Sequence, residues 1–353
     1  MKRIMHIKDV SESVALKARE HVDNLVKPIG SLGLLEDYAV QLAGIFGKMS
    51  LTGLKKAVAV FAADNGVWDE GITSIPLAVT AMQAVNMTKG VTGVTVFAAA
   101  AGADVFVYDM GMRGFKGAPG VENRRVGDGT RSIARGPAMD IGQAVQAIAH
   151  GIDAAEALWN KGYRIVGCGE MGICNTTTAS AVSAVLTGKA PEVMVGKGAG
   201  ITDEQLHKKL DIVKKAIEIN SPDPHSPLDV LARLGGFDIA AMTGFYLGAA
   251  YKQMAVVIDG FISATAALAA AKLNPLAAEY MFASHESTEP GYGTVMDALG
   301  LSAPLRLNMR LGEGSGCPLM FGILEAAAAM MENMATFKEG KIDASKLVDI
   351  RKP

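Results

Sequence analysis

The sequence predicts an α/β protein: a Rossmann-like parallel sheet covered by helices, with a small helical domain built from both chain ends. Two patterns carry that prediction. Five short apolar runs, KKAVAVFAAD, ADVFVYDMG, YRIVGCGE, MAVVIDG and EYMFASHE, alternate with alanine-rich helical segments. Strands that are apolar on both faces belong to a sheet covered on both sides, and helices between them make the strands parallel. Most of these runs also end in a turn of glycine and acid: Ala62-Ala63-Asp64-Asn65-Gly66, Asp109-Met110-Gly111, Gly169-Glu170-Met171-Gly172 and Asp259-Gly260. Ligands of an open parallel sheet bind beyond the carboxyl ends of its strands, so these acids are expected to gather on one edge. At 353 residues, 50% hydrophobic and 20% charged, the chain has the composition of a well-buried globular protein larger than a single small core.

In chain order, residues 11 to about 49 read as helical, interrupted at KPIGSLG, where Pro28, Gly30 and Gly33 break the pattern and Ser31 is placed to cap the next helix. The strand and helix alternation follows. Within it, residues 110–139 are rich in glycine and charge and are expected to form a long surface loop. The turn VGKGAG leads into TDEQLHKKL, where Thr202 and Gln205 make a capping box. A last helix over residues 319–336 and a polar tail are expected to return onto the N-terminal helices. The predicted division is a large α/β domain over 51–317 carrying the active site, and a small helical domain from 1–50 and 318–353.

Several function classes are excluded. The formal net charge of −2 and the absence of a basic, aromatic cluster argue against nucleic acid as a partner. The three cysteines, Cys168, Cys174 and Cys317, make neither a paired framework nor a zinc motif, which suits a reducing compartment. No apolar stretch follows the basic residues of MKRIMHIKDV, and the most apolar run, from Met254, is interrupted by Asp259, so neither a signal peptide nor a membrane span is expected. A cytoplasmic protein is expected. No GxSxG elbow, HExxH motif or Walker A loop occurs, and GCGEMG is not a dinucleotide fingerprint with a following ribose acid.

Four stretches carry chemistry. RLGEGSGCPL sets Glu313 between two glycines ahead of a helix. Glycines let a backbone approach closely, so the carboxylate either faces a ligand or complements the dipole of the helix that follows. GCGEMGICNTTTAS, residues 167–180, runs from a strand into a helix with small and hydroxyl residues. It is either a cradle for phosphate or a tight connection with a Ser/Thr cap. Lys208 and Lys209 lie one turn into the next helix, as ligands or as a solvated face. His285, with Glu286 in FASHESTEPGY, is a hydrogen-bonded loop histidine unless its loop reaches the site.

Eight collinear segments, KPIGSLGLLE, FAADNGVWDEGIT, GEMGICNTTTAS, VGKGAGITDEQLHKKL, LGGFDIAAMTG, VIDGFISA, ASHESTEPGY and RLGEGSG, together resemble the nicotinate-nucleotide:dimethylbenzimidazole phosphoribosyltransferase family over almost the whole chain. The resemblance implies transfer of ribose phosphate from nicotinate mononucleotide to an aromatic base, with inversion from β to α, by a dimer whose subunits contribute to each other's sites. It places the catalytic base on Glu313 and a second carboxylate on Glu170. It places phosphoribosyl binding on Gly172, Asn175, Thr176 and Lys209, and the aromatic-base pocket on Thr73, Met82, Gln83 and Leu311. No metal or other cofactor is implied.

This chain departs from the family pattern at several positions. Thr73 stands where serine is usual, Met82-Gln83 exchanges a glutamine-methionine order, and Asn65 and Tyr292 replace histidines. These departures leave the phosphoribosyl half intact and open the identity of the base, which is dimethylbenzimidazole or a phenol such as p-cresol. Phenol-activating relatives pair two similar chains, so the dimer is of identical chains or of paralogues. The rival reading is a catalytically idle, nucleotide-binding subunit.

Overall fold

The computed structural model describes residues 5–343 and 348–351. Residues 1–4, 344–347 and 352–353, which fall in the predicted small helical domain, lie outside the described residues. The chain starts with α1 (Glu12–Asp23) and α2 (Leu34–Phe46), then β1 (Lys55–Ala63), α3 (Val79–Thr88), α4 (Gly93–Ala100), β2 (Asp104–Gly111) and β3 (Val121–Asn123). It continues with α5 (Ile141–Asn160), β4 (Tyr163–Met171), α6 (Asn175–Thr187), α7 (Pro191–Met194), α8 (Asp203–Asn220) and α9 (Pro227–Leu234). It ends with α10 (Phe237–Tyr251), β5 (Ala255–Ile258), α11 (Phe261–Leu273), β6 (Met281–Ala283), α12 (Tyr292–Leu299) and α13 (Cys317–Asn333).

All five predicted strands occur, as β1, β2, β4, β5 and β6. The sheet has six strands in the order β3-β2-β1-β4-β5-β6, and every neighbouring pair is parallel. That order winds outward from β1 in both directions, which opens a crevice where β1 and β4 end side by side. The central strands are apolar on both faces because helices cover both: all of β1 after Lys55 is buried.

On one face α5 crosses α10 at backbone contact. A Cβ on Gly151 would meet the Ala241 carbonyl at 1.9 Å, so only glycine permits that approach. On the other face α13 lies over β4, with Cys317 Sγ 3.5 Å from the Val257 carbonyl. The chain ends meet beside it, where Val26 N–H donates to the Ala335 carbonyl at 2.8 Å and Leu25 bridges Thr336. One hydrophobic core runs from Ile7 to Met331.

Three local expectations need correction. The segment 110–139 is not loop throughout: β3 pairs Val121, Glu122 and Asn123 with β2. An edge strand bonded on one side needs no apolar run, so VEN gave no signal. Nor is the segment all surface, since Ile133, Ala138 and Met139 are buried. Ser31 does not cap α2: its N-cap is Gly33, with φ 53°, and Glu36 accepts the Leu32 N–H at 3.0 Å. Glu36 also pairs with buried Lys27 at 2.7 Å, and α2 starts without a side-chain cap on its first amides. The capping box of α8 forms as read, with Gln205 N–H on Thr202 Oγ1 at 3.2 Å and Thr202 N–H on Gln205 Oε1 at 2.9 Å. Among the described residues no helix is long and apolar enough to cross a membrane.

Candidate active site

Four strands deliver an acid to the carboxyl edge, but only two of the acids face open space. Asp109, after β2, accepts the N–H groups of Gly111 and Met112 at 2.9 Å and pairs with Arg125 at 3.0 Å, which holds the 110–139 segment. Asp64, after β1, accepts the Arg113 N–H at 2.7 Å. Glu170 and Asp259, after β4 and β5, line a cavity of about 370 Å³ together with Gln83, Leu311 and Glu313. A smaller cavity of about 80 Å³ adjoins it, lined by Thr73, Thr176 and Lys209 among others. Gly172, Asn175 and Thr176 line both.

Glu313 sits on a tight turn in which residues 312, 313 and 314 all have positive φ, at 85°, 64° and 88°. A left-handed glutamate between two glycines is a strained arrangement, held here from outside. The turn packs on the backbone of β4, where a Cβ on Gly169 would lie 2.3 Å from the Glu313 carbonyl oxygen. The Glu313 side chain is buried. Oε1 accepts from Gln83 Nε2 at 2.6 Å, and Oε2 accepts from the backbone N–H of Val94 at 3.2 Å. Val94 is in the first turn of α4, so Glu313 both lines the cavity and complements a helix dipole. The helix is α4, not the α13 that follows it in sequence.

Glu170 is buried against the same turn. Its burial, reinforced by the nearby carboxylates of Asp238 and Asp259, pushes its pKa up to about 8, against the opposing pull of its hydrogen bond from Asn175. Asn175 Nδ2 donates to Glu170 and also to Asp238 Oδ2, the latter at 3.1 Å. Both amide hydrogens of Asn175 are therefore spent on carboxylates, and its side chain holds Glu170 in place. Asp259 is raised to about 7, chiefly by burial, although Gly316 and Gly314 N–H groups stabilise its ionised form. His285 is buried, lines the larger cavity, and shares a 3.1 Å hydrogen bond with Ser284 Oγ. Burial lowers its pKa, which favours neutral imidazole.

Lys209 is 2% exposed despite its place on a helix, because α8 points it beneath the start of α6. Its Nζ donates to Thr176 Oγ1 at 2.9 Å and to the Gly196 carbonyl at 2.8 Å. Burial lowers its pKa to about 8. One ammonium and one hydroxyl therefore meet at the start of α6, on the wall of the smaller cavity. Lys208 is instead exposed, donating to the Gly71 carbonyl at 3.2 Å. Cys174 also lines this cavity, and burial pushes its thiol up to about 12, leaving it neutral.

Of the residues expected at the site, Glu313, Glu170, Gly172, Asn175, Thr176, Gln83 and Leu311 come together around the larger cavity. Thr73 lies at the smaller one, beside Lys209. Met82 lines neither and is 62% exposed. Tyr292 is buried away from both cavities, whereas His285 reaches the larger. Glu289 was not singled out from sequence. It lines the larger cavity, accepts the Gly198 N–H at 3.0 Å, and keeps Oε2 buried with no hydrogen-bond partner among the described residues. Its only signal was its place in ASHESTEPGY.

Residues 7–342 match the family model described as phosphoribosyltransferase, the class to which this sheet edge and its paired cavities answer. The chain is 47% identical over 345 residues to the nicotinate-nucleotide–dimethylbenzimidazole phosphoribosyltransferase of Clostridium perfringens, covering 98% of this chain and 96% of that one. It is 48% identical over 343 residues to the enzyme of that name from Ruminiclostridium cellulolyticum, covering 97% of each. The crystal structure of CobT from Thermus thermophilus superposes with a TM-score of 0.89 at 38% identity, covering 94% of this chain and 99% of that one. The chain therefore belongs to the nicotinate-nucleotide–dimethylbenzimidazole phosphoribosyltransferase family.

Proposed function

We propose that the chain transfers the phosphoribosyl group of nicotinate mononucleotide to an aromatic base in the making of a cobamide lower ligand, releasing nicotinate and an α-riboside phosphate. The observation that carries the reading is the pair of adjoining cavities, one with the Lys209 ammonium and one lined by Glu170, Asp259, Glu289 and Glu313. The phosphate would sit between Lys209, Thr176 and the start of α6, where charge-assisted bonds are strong. The nucleotide's pyridinium and C1′ then face carboxylates. As the glycosidic bond breaks, its electron pair neutralises the pyridinium, so nicotinate leaves without an acid, and Glu170 stabilises the positive charge developing on the ribose. The base attacks C1′ from the opposite face, which inverts the centre, and Glu313 takes the proton that the base loses.

The acceptor is proposed to be 5,6-dimethylbenzimidazole, as in the names of the relatives. A phenol is the second reading, favoured by the apolar wall that Ile75, Val79 and Leu311 give the cavity and by the engagement of Gln83 with Glu313. In that case Glu313 would deprotonate a hydroxyl. Incubation with nicotinate mononucleotide and an equimolar mixture of dimethylbenzimidazole, adenine, phenol and p-cresol, followed by mass analysis, separates the readings. An N-riboside phosphate supports the first and an O-riboside phosphate the second. No transfer to any acceptor, despite nucleotide binding, would favour an idle subunit that needs an active paralogue.

The working form is proposed to be a cytoplasmic dimer, of two copies or of paralogues, with a large α/β domain and a small helical one. Its support is the exposed apolar surface of Met82, Val96 and Leu311, at 62%, 53% and 58%, on the elements that converge on Glu313. A monomer by light scattering, fully active, would refute it.

A further inference from the structure

We infer that Asp259, at the end of β5, is a positioning residue that holds Glu313 at the cavity wall by clamping the turn that carries it. The Asp259 carboxylate lies across the start of α13. Oδ2 accepts the N–H of Gly314 at 3.0 Å and Oδ1 accepts that of Gly316 at 2.7 Å. Gly314 follows Glu313 directly, so the clamp acts one peptide from the proposed base.

The turn needs such a hold. Its three successive positive φ values place a non-glycine residue in the left-handed region, a cost that an unrestrained turn would relieve. Gly169 of β4 supports it on one side, and Asp259 fastens it on the other. Asp259 is itself pinned through its backbone: Ser263 Oγ accepts its N–H at 3.1 Å, and Ser284 Oγ donates to its carbonyl at 3.1 Å. His285 Nδ1 stands 3.8 Å from Oδ1, neutral and outside hydrogen-bond range.

The result is a division of work between two carboxylates. The first amides of a helix attract an anion, and an acid at position 313 has those of α13 nearest to it in sequence. Asp259 takes the amides of Gly314 and of the N-cap Gly316 that lead into that helix. Glu313 is left to turn toward α4, where it lines the cavity.

This inference rests on the reading of Glu313 as the base. Its test is a double-mutant cycle on the full chain, following nicotinate release from nicotinate mononucleotide with dimethylbenzimidazole. Asp259→Asn keeps the side-chain shape but sets an amide N–H against one of the two backbone N–H groups. We expect kcat to fall about 10- to 100-fold, with the KM for nucleotide changed by less than about twofold. In a Glu313→Gln background the same substitution should cost nothing further, because it acts through that carboxylate. An unchanged kcat, or an equal loss in both backgrounds, overturns the clamp.

Full turnover in Glu313→Gln alone would instead sink the base assignment. Amide hydrogen exchange then decides the clamp independently: protection of Gly314 and Gly316 that is lost in Asp259→Asn supports it, and equal exchange in both proteins overturns it. Should Asp259→Asn not fold, Ser284→Ala releases the Asp259 carbonyl and the His285 ring, leaves both carboxylate bonds of Asp259 in place, and enters the same cycle. A smaller, Glu313-dependent loss supports the clamp, and no loss or an additive one overturns it.

Discussion

The Glu313 carboxylate rests on the backbone N–H of Val94, a residue 219 positions earlier, at 3.2 Å, while Gln83 holds its other oxygen at 2.6 Å. This ties the turn before α13 to α3 and α4, and gives the carboxylate a fixed direction without removing it from the cavity.

Glu313→Gln should leave nicotinate mononucleotide binding nearly unchanged, because the proposed phosphate contacts, Lys209 among them, belong to the other cavity. Turnover should fall by about 10²- to 10⁴-fold, the usual contribution of a general base. Calorimetry for binding and single-turnover kinetics for transfer separate the two. Undiminished turnover would remove Glu313 from the mechanism.

Gly169→Ala tests the contact between β4 and the turn. The new Cβ would lie 2.3 Å from the Glu313 carbonyl, so the turn must shift. Such overpacking costs about 1–3 kcal/mol, and turnover should drop with it. Urea unfolding and kcat measured on the same protein check this, and a variant unaffected in both would show that the turn has room to spare.

Lys209→Met should weaken nucleotide binding by about 10- to 100-fold, the worth of a charge-assisted hydrogen bond in a closed site. The control is nicotinate riboside, which lacks the phosphate. Wild type and variant should use it equally poorly, and a variant that loses activity on the riboside too would place Lys209 elsewhere in the mechanism.

The pH profile of kcat/KM should climb toward pH 8 and fall beyond it. Glu170, raised to about 8, is mostly protonated below that value, and its ionised form is the one that favours a cationic nucleotide. Lys209, lowered to about 8, loses its charge above it. Glu170→Gln should flatten the acid limb and Lys209→Met the alkaline limb. A profile flat from pH 6 to 9 would contradict both assignments.

Stability follows the same group with the opposite outcome. Native Glu170 keeps its proton up to about pH 8, whereas the unfolded chain releases it near the ordinary value of 4.5, so the folded state binds more protons between these values. Stability attributable to Glu170 therefore declines as pH rises through that window. Glu170→Gln should raise stability at pH 8 by on the order of 1–3 kcal/mol while lowering turnover. Denaturant midpoints for both proteins at pH 5 and pH 8 test the sign, which should favour the variant only at the higher pH.

Much of the fold was legible because its signals are local. Five strands announced themselves as apolar runs, the α8 cap as Thr202 with Gln205, and the connection from β4 into α6 as a run of small and hydroxyl residues. The failures were also physical. VEN formed an edge strand without hydrophobic alternation, and α2 began at the positive-φ Gly33, two residues past Ser31, with no side-chain cap.

Sequence alone thus determined the five apolar strands and the helices between them, and which acids and lysines could be brought to one edge, since propensity and periodicity act over a few residues. Tertiary structure decided their work. It turned both amide hydrogens of Asn175 onto Glu170 and Asp238, buried Lys209 but left Lys208 in solvent, and set Thr73 and Met82 outside the larger cavity. It also gave the Gly314 and Gly316 amides ahead of α13 to Asp259 and the Val94 amide of α4 to Glu313. Those pairings join groups far apart in the chain, and only the closure of the sheet and its helices decides which carboxylate reaches which donor.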